Sequence, residues 1–352
     1  MCALYLLQTP VNQSFDALRA VLISPQKVVI TMHRDPDADA MGSSLGWALY
    51  LEKKGHQVSV ISPTDIASNL LGLPTAERVL VFEGTNAKAR ECRELIQEAT
   101  LVCCLDFSAI SRLKELGRWV NESTATKLLV DHHLEPEPFA DIMIWDTGAA
   151  ATAQLIYDTI RYLDGTEILD IPMAECLYAG IMTDTGSFRH GNTTPEVHLA
   201  VADLMRTGLE VNKVHRMIFD NAPLSRIKLL GHVLSNRLQV LPEYRTSYMT
   251  LTAAELEKYK SSTGDTEGIV NYGLQIEDIV MTALFIERKG EVKISFRSLG
   301  DFSVRDLASA HFNGGGHRNA SGGRTTLSLD ETVDQFLKFL PFYKAQLLSV
   351  EK

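Results

Sequence analysis

The sequence predicts an α/β fold in which a parallel-sheet domain with helices on both faces is joined by a helical connector to a smaller, mixed-sheet α/β domain. Three observations carry this prediction. Short apolar runs alternate with helix-periodic segments through the first part of the chain, the pattern of a parallel sheet covered by helices. A helical stretch over 211–236, interrupted only at Pro223, then leads into a region of hairpin-like strands. At 352 residues the chain exceeds one ordinary core and suits two domains of roughly 100 to 200 residues each.

Taken in order, 27–32 reads as a buried strand, 43–54 has helical spacing, and 57–61 and 78–82 read as further strands. Residues 89–99 are helical, 101–105 a strand, 110–120 mostly helical, and 127–130 a strand. The segment from Ala174 to Gly186 fits helix or strand by periodicity alone, and Thr194-Pro195 suits a helix start. Beyond the connector, 237–241 and 246–251 look like paired strands and 253–260 a helix begun at Thr252. Residues 279–287 and 292–298 form a hairpin turning at Lys289-Gly290. Domain boundaries fall at 15–205, at 206–236 for the helical linker, and at 237–345.

Composition narrows the function classes. With 45% hydrophobic and 22% charged residues and no run approaching the roughly 20 apolar residues of a membrane span, the chain reads as a soluble globular protein without membrane partners. Met1 to Pro10 lacks a basic n-region, which disfavours a secretory signal and points to the cytoplasm. Five cysteines without a C-x-x-C pair argue against a disulfide framework and a zinc ribbon, and Cys103 and Cys104 read as buried strand residues. The net charge of −10 would repel a long nucleic acid, so a short or small anionic ligand fits better.

The chemistry lies in four clusters, each after an apolar segment: His33-Arg34-Asp35-Pro36-Asp37-Ala38-Asp39, then Asp106, then Asp131-His132-His133, then Asp184. Alone, the first reads as a solvated Asp-Pro turn. It is not a calcium loop, because Ala40 stands where that loop needs Gly and Gly46 where it needs the bidentate Glu. Together the clusters argue otherwise. In parallel sheets the ligand site lies beyond the carboxyl ends of the strands, where His33, Asp106 and Asp131-His132-His133 fall, so distant residues converge. Four carboxylates held close together cannot all stay ionised without cations, whereas two divalent ions balance four charges. Oxygen-rich ligation with two imidazoles favours Mn²⁺ or Mg²⁺, and a carboxylate bridging two ions is the arrangement of two-metal phosphoester hydrolysis.

The order H-x-x-x-D-x-D, lone Asp, D-H-H and D-T-G resembles the DHH phosphoesterases over residues 15–205. The resemblance implies that the metal ligands are His33, Asp37, Asp39, Asp106 as bridge, His132 and Asp184. It also implies that His133 faces the phosphate and that Asp131 orients its neighbours. Asp35 remains a motif residue without an assigned role. Arg189 is a candidate phosphate contact, equally readable as an ordinary surface Arg.

Downstream, Gly314-Gly315-Gly316-His317-Arg318-Asn319-Ala320-Ser321-Gly322-Gly323 follows the amphipathic stretch 304–312. It lacks the G-K-[ST] of a P-loop and the dinucleotide fingerprint, and a flexible turn is the bland alternative. Glycine amides can close on an anion, with His317 and Arg318 as directed donors. The segment resembles the G-G-G-H signature of the DHHA1 domain, with Arg318 departing from the usual small residue or Pro after the His. Arg297, on the polar face that Lys293 and Ser295 share with it, is a further phosphate-gripping candidate.

These two domains without a further module resemble the branch of the family that degrades very short oligoribonucleotides, as nanoRNases, and dephosphorylates 3′-phosphoadenosine-5′-phosphate (pAp). The expectation is therefore a hydrolase with two divalent cations, preferably Mn²⁺, whose partners are short oligonucleotides or nucleotide phosphates and not long duplexes. A homodimer is compatible with the sequence. A cyclic-dinucleotide or pApA phosphodiesterase and a non-catalytic nucleotide-binding protein stay open. An inorganic pyrophosphatase should lack G-G-G-H, and a RecJ-like exonuclease on long strands is disfavoured by size and acidity.

Overall fold

A computed structural model describes residues 9–82, 86–262 and 264–352; the first eight residues, part of the stretch read above for a secretory signal, lie outside them. The chain divides into two compact units, Met1–Asn221 and Ala222–Lys352.

The first unit runs α1 (Thr9–Leu22), β1 (Lys27–Met32), α2 (Ala38–Lys53), β2 (Gln57–Ser62), β3 (Leu80–Val81), α3 (Ala87–Glu98) and β4 (Leu101–Leu105). It continues with α4 (Leu116–Glu122), β5 (Thr126–Asp131), β6 (Ile142–Trp145), α5 (Thr152–Asp164), α6 (Ile171–Asp184), α7 (Pro195–Arg206) and α8 (Val211–Phe219). Its strands form one sheet in the order β3-β2-β1-β4-β5-β6, parallel throughout. Strand alternation builds a core on each face. Val28, Ile30, Met32, Cys103 and Leu105 join the larger cluster with residues of α1, α2, α5 and α6. Val29, Val102, Cys104 and Leu129 point the other way, into a cluster with α3 and α4. Each such aliphatic side chain contributes about 1.5–3 kcal/mol of burial, so the apolar runs need no polar alternation to specify strands.

Several elements differ from the sequence reading. The helix expected over 43–54 starts at Ala38, because Asp37 caps it by accepting from the backbone N–H of Asp39 and Ala40. The segment 110–120 splits into a 3₁₀ turn over Ile110–Leu113 and α4, and the strand expected over 78–82 shrinks to two residues at the sheet edge. The Ala174–Gly186 ambiguity resolves as helix α6. Thr194 caps α7 as its Thr-Pro pattern suggests. Helices α1 and α5 and strand β6 lie in stretches where the sequence reading placed no element.

The second unit contains α9 (Leu224–Asn236), β7 (Leu238–Leu241), β8 (Thr246–Leu251), α10 (Ala253–Lys258), β9 (Met281–Arg288) and β10 (Glu291–Ser298). It ends with α11 (Val304–His311), β11 (Gly315–His317), β12 (Ala320–Thr325) and α12 (Leu329–Ser349). The sheet order is β11-β12-β10-β9-β8-β7, mixed because β8 and β9 are parallel while the other pairs are antiparallel. Pro223 is the N-cap of α9, so the helical stretch over 211–236 is two helices, one in each unit. Phe285, Phe296 and Phe336 anchor the core on one face of this sheet, and Met249, Leu251 and Leu284 pack with α9 on the other. Among the described residues no helix is long and apolar enough to cross a membrane.

Candidate metal centre

The winding of the first sheet reverses between β1 and β4, and in open α/β sheets that switch point is where the ligand crevice opens. His33 follows β1 and Asp106 follows β4, with His33 Nε2 3.4 Å from Asp106 Oδ2. Asp106 holds a left-handed φ of 64° while its N–H continues the ladder to the Val130 carbonyl. That conformation costs a non-glycine residue on the order of 1 kcal/mol and recurs at functional sites.

Asp37 divides its two oxygens. Oδ1 caps α2, and Oδ2 lies 3.8 Å from His33 Nε2. Asp39, in the first turn of α2, is buried and accepts from the N–H groups of Thr152 at 2.7 Å and Ala153 at 2.8 Å, where α5 begins. Gly180 of helix α6 leaves room for this arrangement: a Cβ there would stand 2.6 Å from Asp39 Oδ1. Asp184 ends α6, where the helix dipole disfavours a carboxylate. Its Oδ2 is 3.4 Å from His132 Nε2, which also lies 3.6 Å from Asp106 Oδ1 and 3.8 Å from Asp39 Oδ2.

The expected ligands therefore gather in two groups, His33 with Asp37 and Asp106, and Asp39 with His132 and Asp184. Asp106 turns Oδ2 toward one imidazole and Oδ1 toward the other. His33 Nδ1 lies 2.7 Å from the Arg34 carbonyl and His132 Nδ1 3.3 Å from that of Ala149. A carbonyl only accepts, so Nδ1 carries the proton and Nε2 is the atom turned to the carboxylates. His133 is held differently. Its Nδ1 is 2.8 Å from Asp131 Oδ1, and its carbonyl accepts from Trp145 Nε1 at 2.6 Å.

Electrostatics fits a cation site. Burial and the neighbouring Asp106 and Asp37 charges push Asp39 well above the usual carboxylate range. Burial alone would lower His33, but Asp106 and Asp37 beside it raise it to about 10. Asp106 is held below the usual range, burial being outweighed chiefly by His33 and His133. Burial lowers His132, keeping its imidazole neutral and available as a donor. Nitrogen–oxygen separations of 3.4 to 3.8 Å are too long for good hydrogen bonds. They approach the roughly 3 to 3.4 Å between neighbouring ligands on an ion with bonds of about 2.1 Å. The cluster can hold a divalent metal, with donors of the hard, oxygen-rich kind that suits Mn²⁺ and Mg²⁺.

Three residues that sequence reasoning missed complete this picture. Thr152 Oγ1 donates to Asp106 Oδ1 at 2.9 Å, Trp145 fixes the His133 backbone, and Asn192 Nδ2 reaches the carbonyls of both Ala150 and Asp184 at 3.2 Å. Only the run Ala149-Ala150-Ala151 before Thr152 signals a close backbone approach. Asp35, unassigned from sequence, shapes the first loop, with a φ of 51° and its N–H on Thr64 Oγ1 at 2.6 Å. Arg189 is exposed and donates to the Gly186 carbonyl at 2.8 Å in the turn after Asp184.

In the second unit the glycine-rich segment is a hairpin at the sheet edge, not a flexible turn. Arg297 pairs with Ala320 and Ala320 with His317, so Arg297 and His317 share one face across three adjacent strands. Arg318 donates to the Asp301 carbonyl at 2.9 Å and pairs with its carboxylate at 3.1 Å. A side chain at Gly314 would collide with the Gly322 carbonyl, whereas among the described residues nothing lies within 4 Å of a Cβ at Gly315; Gly316 has a φ of 136°.

Comparison with known proteins names the class. The DHH family, N-terminal domain, matches residues 27–181, and the DHHA1 domain matches residues 246–341. The bifunctional oligoribonuclease and PAP phosphatase NrnA of Thermus thermophilus is 31% identical over 316 residues, 88% of each chain. Its Bacillus subtilis counterpart is 27% identical over 84% of this chain and 88% of its own. Among solved structures, an exopolyphosphatase-related protein from Bacteroides fragilis superposes with a TM-score of 0.91 at 33% identity, over 98% of this chain and all of that one. The protein is a hydrolase acting on phosphoester bonds. The chain belongs to the DHH/DHHA1 family of phosphoesterases.

Proposed function

We propose that the protein hydrolyses short oligoribonucleotides, as a nanoRNase, and pAp, through a centre of two divalent cations, most suitably Mn²⁺ with Mg²⁺ as substitute. The observation that carries this reading is the Asp106 carboxylate, with one oxygen toward each imidazole-bearing group. His33 and Asp37 would hold one ion, Asp39, His132 and Asp184 the other, and Asp106 both. When bound, such ions supply Lewis acidity and lower the pKa of a water far enough to make a nucleophile at neutral pH. Asp131 fixes the His133 ring, which faces the phosphate. Arg189 in the first unit and Gly314, Gly315, Gly316, His317, Arg318 and Arg297 in the second are the candidate substrate-binding residues, which assigns catalysis to residues 15–205, substrate binding to 237–345 and the join to 206–236. The chain's −10 charge limits how long a polyanion it tolerates, in keeping with short substrates.

The deciding experiment measures product release from pAp and from RNAs of two to five nucleotides with added Mn²⁺, with longer RNA, pApA, cyclic di-AMP and pyrophosphate in parallel. Turnover of pAp and the short RNAs with little action on longer strands supports the reading. Turnover confined to cyclic di-AMP or pApA, or rapid pyrophosphate hydrolysis, overturns the substrate assignment. Full activity in D106N overturns the two-cation centre.

A further inference from the structure

We infer that Thr152 is a positioning residue that locks the bridging carboxylate to the second cation group, and that its hydroxyl is required for two cations to bind as a pair. The inference rests on the two-cation reading and assigns a role that the six ligands alone do not explain.

Thr152 is fully buried, and its two donors go to two different carboxylates. The hydroxyl donates to Asp106 Oδ1 at 2.9 Å and the backbone N–H to Asp39 Oδ2 at 2.7 Å. Neither is committed to the helix. Thr152 is the first residue of α5, Ala151 holds the cap position without a side-chain cap bond, and a first-turn N–H has no partner within its own helix. A threonine χ1 is stiff, so a hydroxyl carried on a helix terminus fixes its acceptor more firmly than a flexible donor would. As a neutral donor it satisfies one lone pair of Oδ1 without cancelling the carboxylate charge that a cation needs.

The neighbours of Thr152 extend the pattern. Ala153 N–H bonds Asp39 Oδ1, the Ala149 carbonyl takes His132 Nδ1, and the Ala150 carbonyl shares the Asn192 amide with the Asp184 carbonyl. The five residues 149–153 thus tie together Asp39, His132, Asp184 and the bridge Asp106. His33 and Asp37 are set by their own loop, through the Arg34 carbonyl and the start of α2. One cation group is organised at long range around Thr152, and the other locally.

The test compares T152V, which keeps the shape and deletes the hydroxyl, with T152S, which keeps the hydroxyl, and with T152A as a second hydroxyl-free form. Mn²⁺ titration calorimetry gives stoichiometry and affinity, and electron paramagnetic resonance separates a spin-coupled ion pair from an isolated ion. The full-length wild type should bind a coupled pair. T152V and T152A should bind the second ion about 10- to 100-fold more weakly and show the isolated-ion signal, with metal-free T152V still unfolding in one cooperative transition, somewhat below the wild type for the lost buried hydrogen bond. T152S should restore the coupled signal. A coupled pair bound at wild-type affinity by T152V or T152A overturns the inference while leaving the proposed function standing. Loss of the pair in T152S equal to that in T152V also overturns it, because the hydroxyl would not be the cause. A wild type that binds one ion overturns the two-cation reading and this inference with it.

Discussion

The two sheets place their charged groups under opposite conditions. In the first unit, both faces of a parallel sheet are covered and the acidic cluster sits at the winding switch, with Asp39, Asp106, His33 and His132 all buried. In the second, Arg297 lies on a partly open strand face, His317 on the edge strand, and Arg318 is more than half exposed. Buried carboxylates close together demand compensating positive charge and a fixed frame, whereas exposed cations keep their hydration and need only a scaffold. The first site should therefore fail abruptly under substitution and the second weaken gradually.

The strongest way to break that contrast is D106N. Replacing the proposed bridge should lower kcat/KM at least about a thousandfold, ~4 kcal/mol of transition-state stabilisation, and remove paired Mn²⁺ binding in the same protein. A D106N enzyme that loses activity but still binds two ions would move the role of Asp106 from holding cations to chemistry alone.

The two sites were also unequally legible in the sequence. The acid cluster could be read because its residue types are expensive to bury and each follows an apolar run, so His33, Asp106 and Asp131 had to stand at strand ends. The frame around it could not. Thr152 bonds groups 46 and 113 residues away in sequence and Asn192 groups 42 and 8 away, and no local pattern announces such contacts. Helix α2 was read five residues late because an Asp-Pro-Asp cluster looks like a loop, when Asp37 is its cap. In the glycine-rich segment the sequence offered an anion cradle or a turn but not the packing reason for its first glycine: Gly314 is required by the approach of the Gly322 backbone.

A buried acid in the second unit sharpens the comparison, because it is compensated by the protein itself. Burial would raise Glu255, but the Thr252 N–H, His232 and Arg237 bring it down to about 2 from 4.5. A carboxylate with a lowered folded pKa contributes stability above its unfolded pKa and loses it as pH falls through the folded value. Glu255 should thus give ~3 kcal/mol that is fully present above about pH 4.5 and lost toward pH 2. Urea unfolding of wild type and E255Q across that range checks this: the gap between the two should narrow on acidification. A gap that stays constant would mean that the network holds Glu255 through geometry and not charge.

Gradual weakening in the second unit is tested by R297A and H317A. Each should raise KM about tenfold, ~1.4 kcal/mol, through loss of a charge-assisted contact to the anion, with kcat and the Mn²⁺ stoichiometry unchanged. A fall in kcat without a change in KM would place either residue with the reacting groups instead.

The smallest effect is expected at Gly315, where a methyl group meets nothing within 4 Å among the described residues. If its backbone amide approaches the substrate, G315A should leave unfolding stability within about 0.5 kcal/mol of wild type, as for an unencumbered surface change, yet raise KM a few-fold, since the new Cβ would occupy space that the anion needs. An unchanged KM would confine the role of the glycine-rich segment to building the β11–β12 hairpin, leaving recognition to the side chains of Arg297 and His317 that the hairpin brings onto one face.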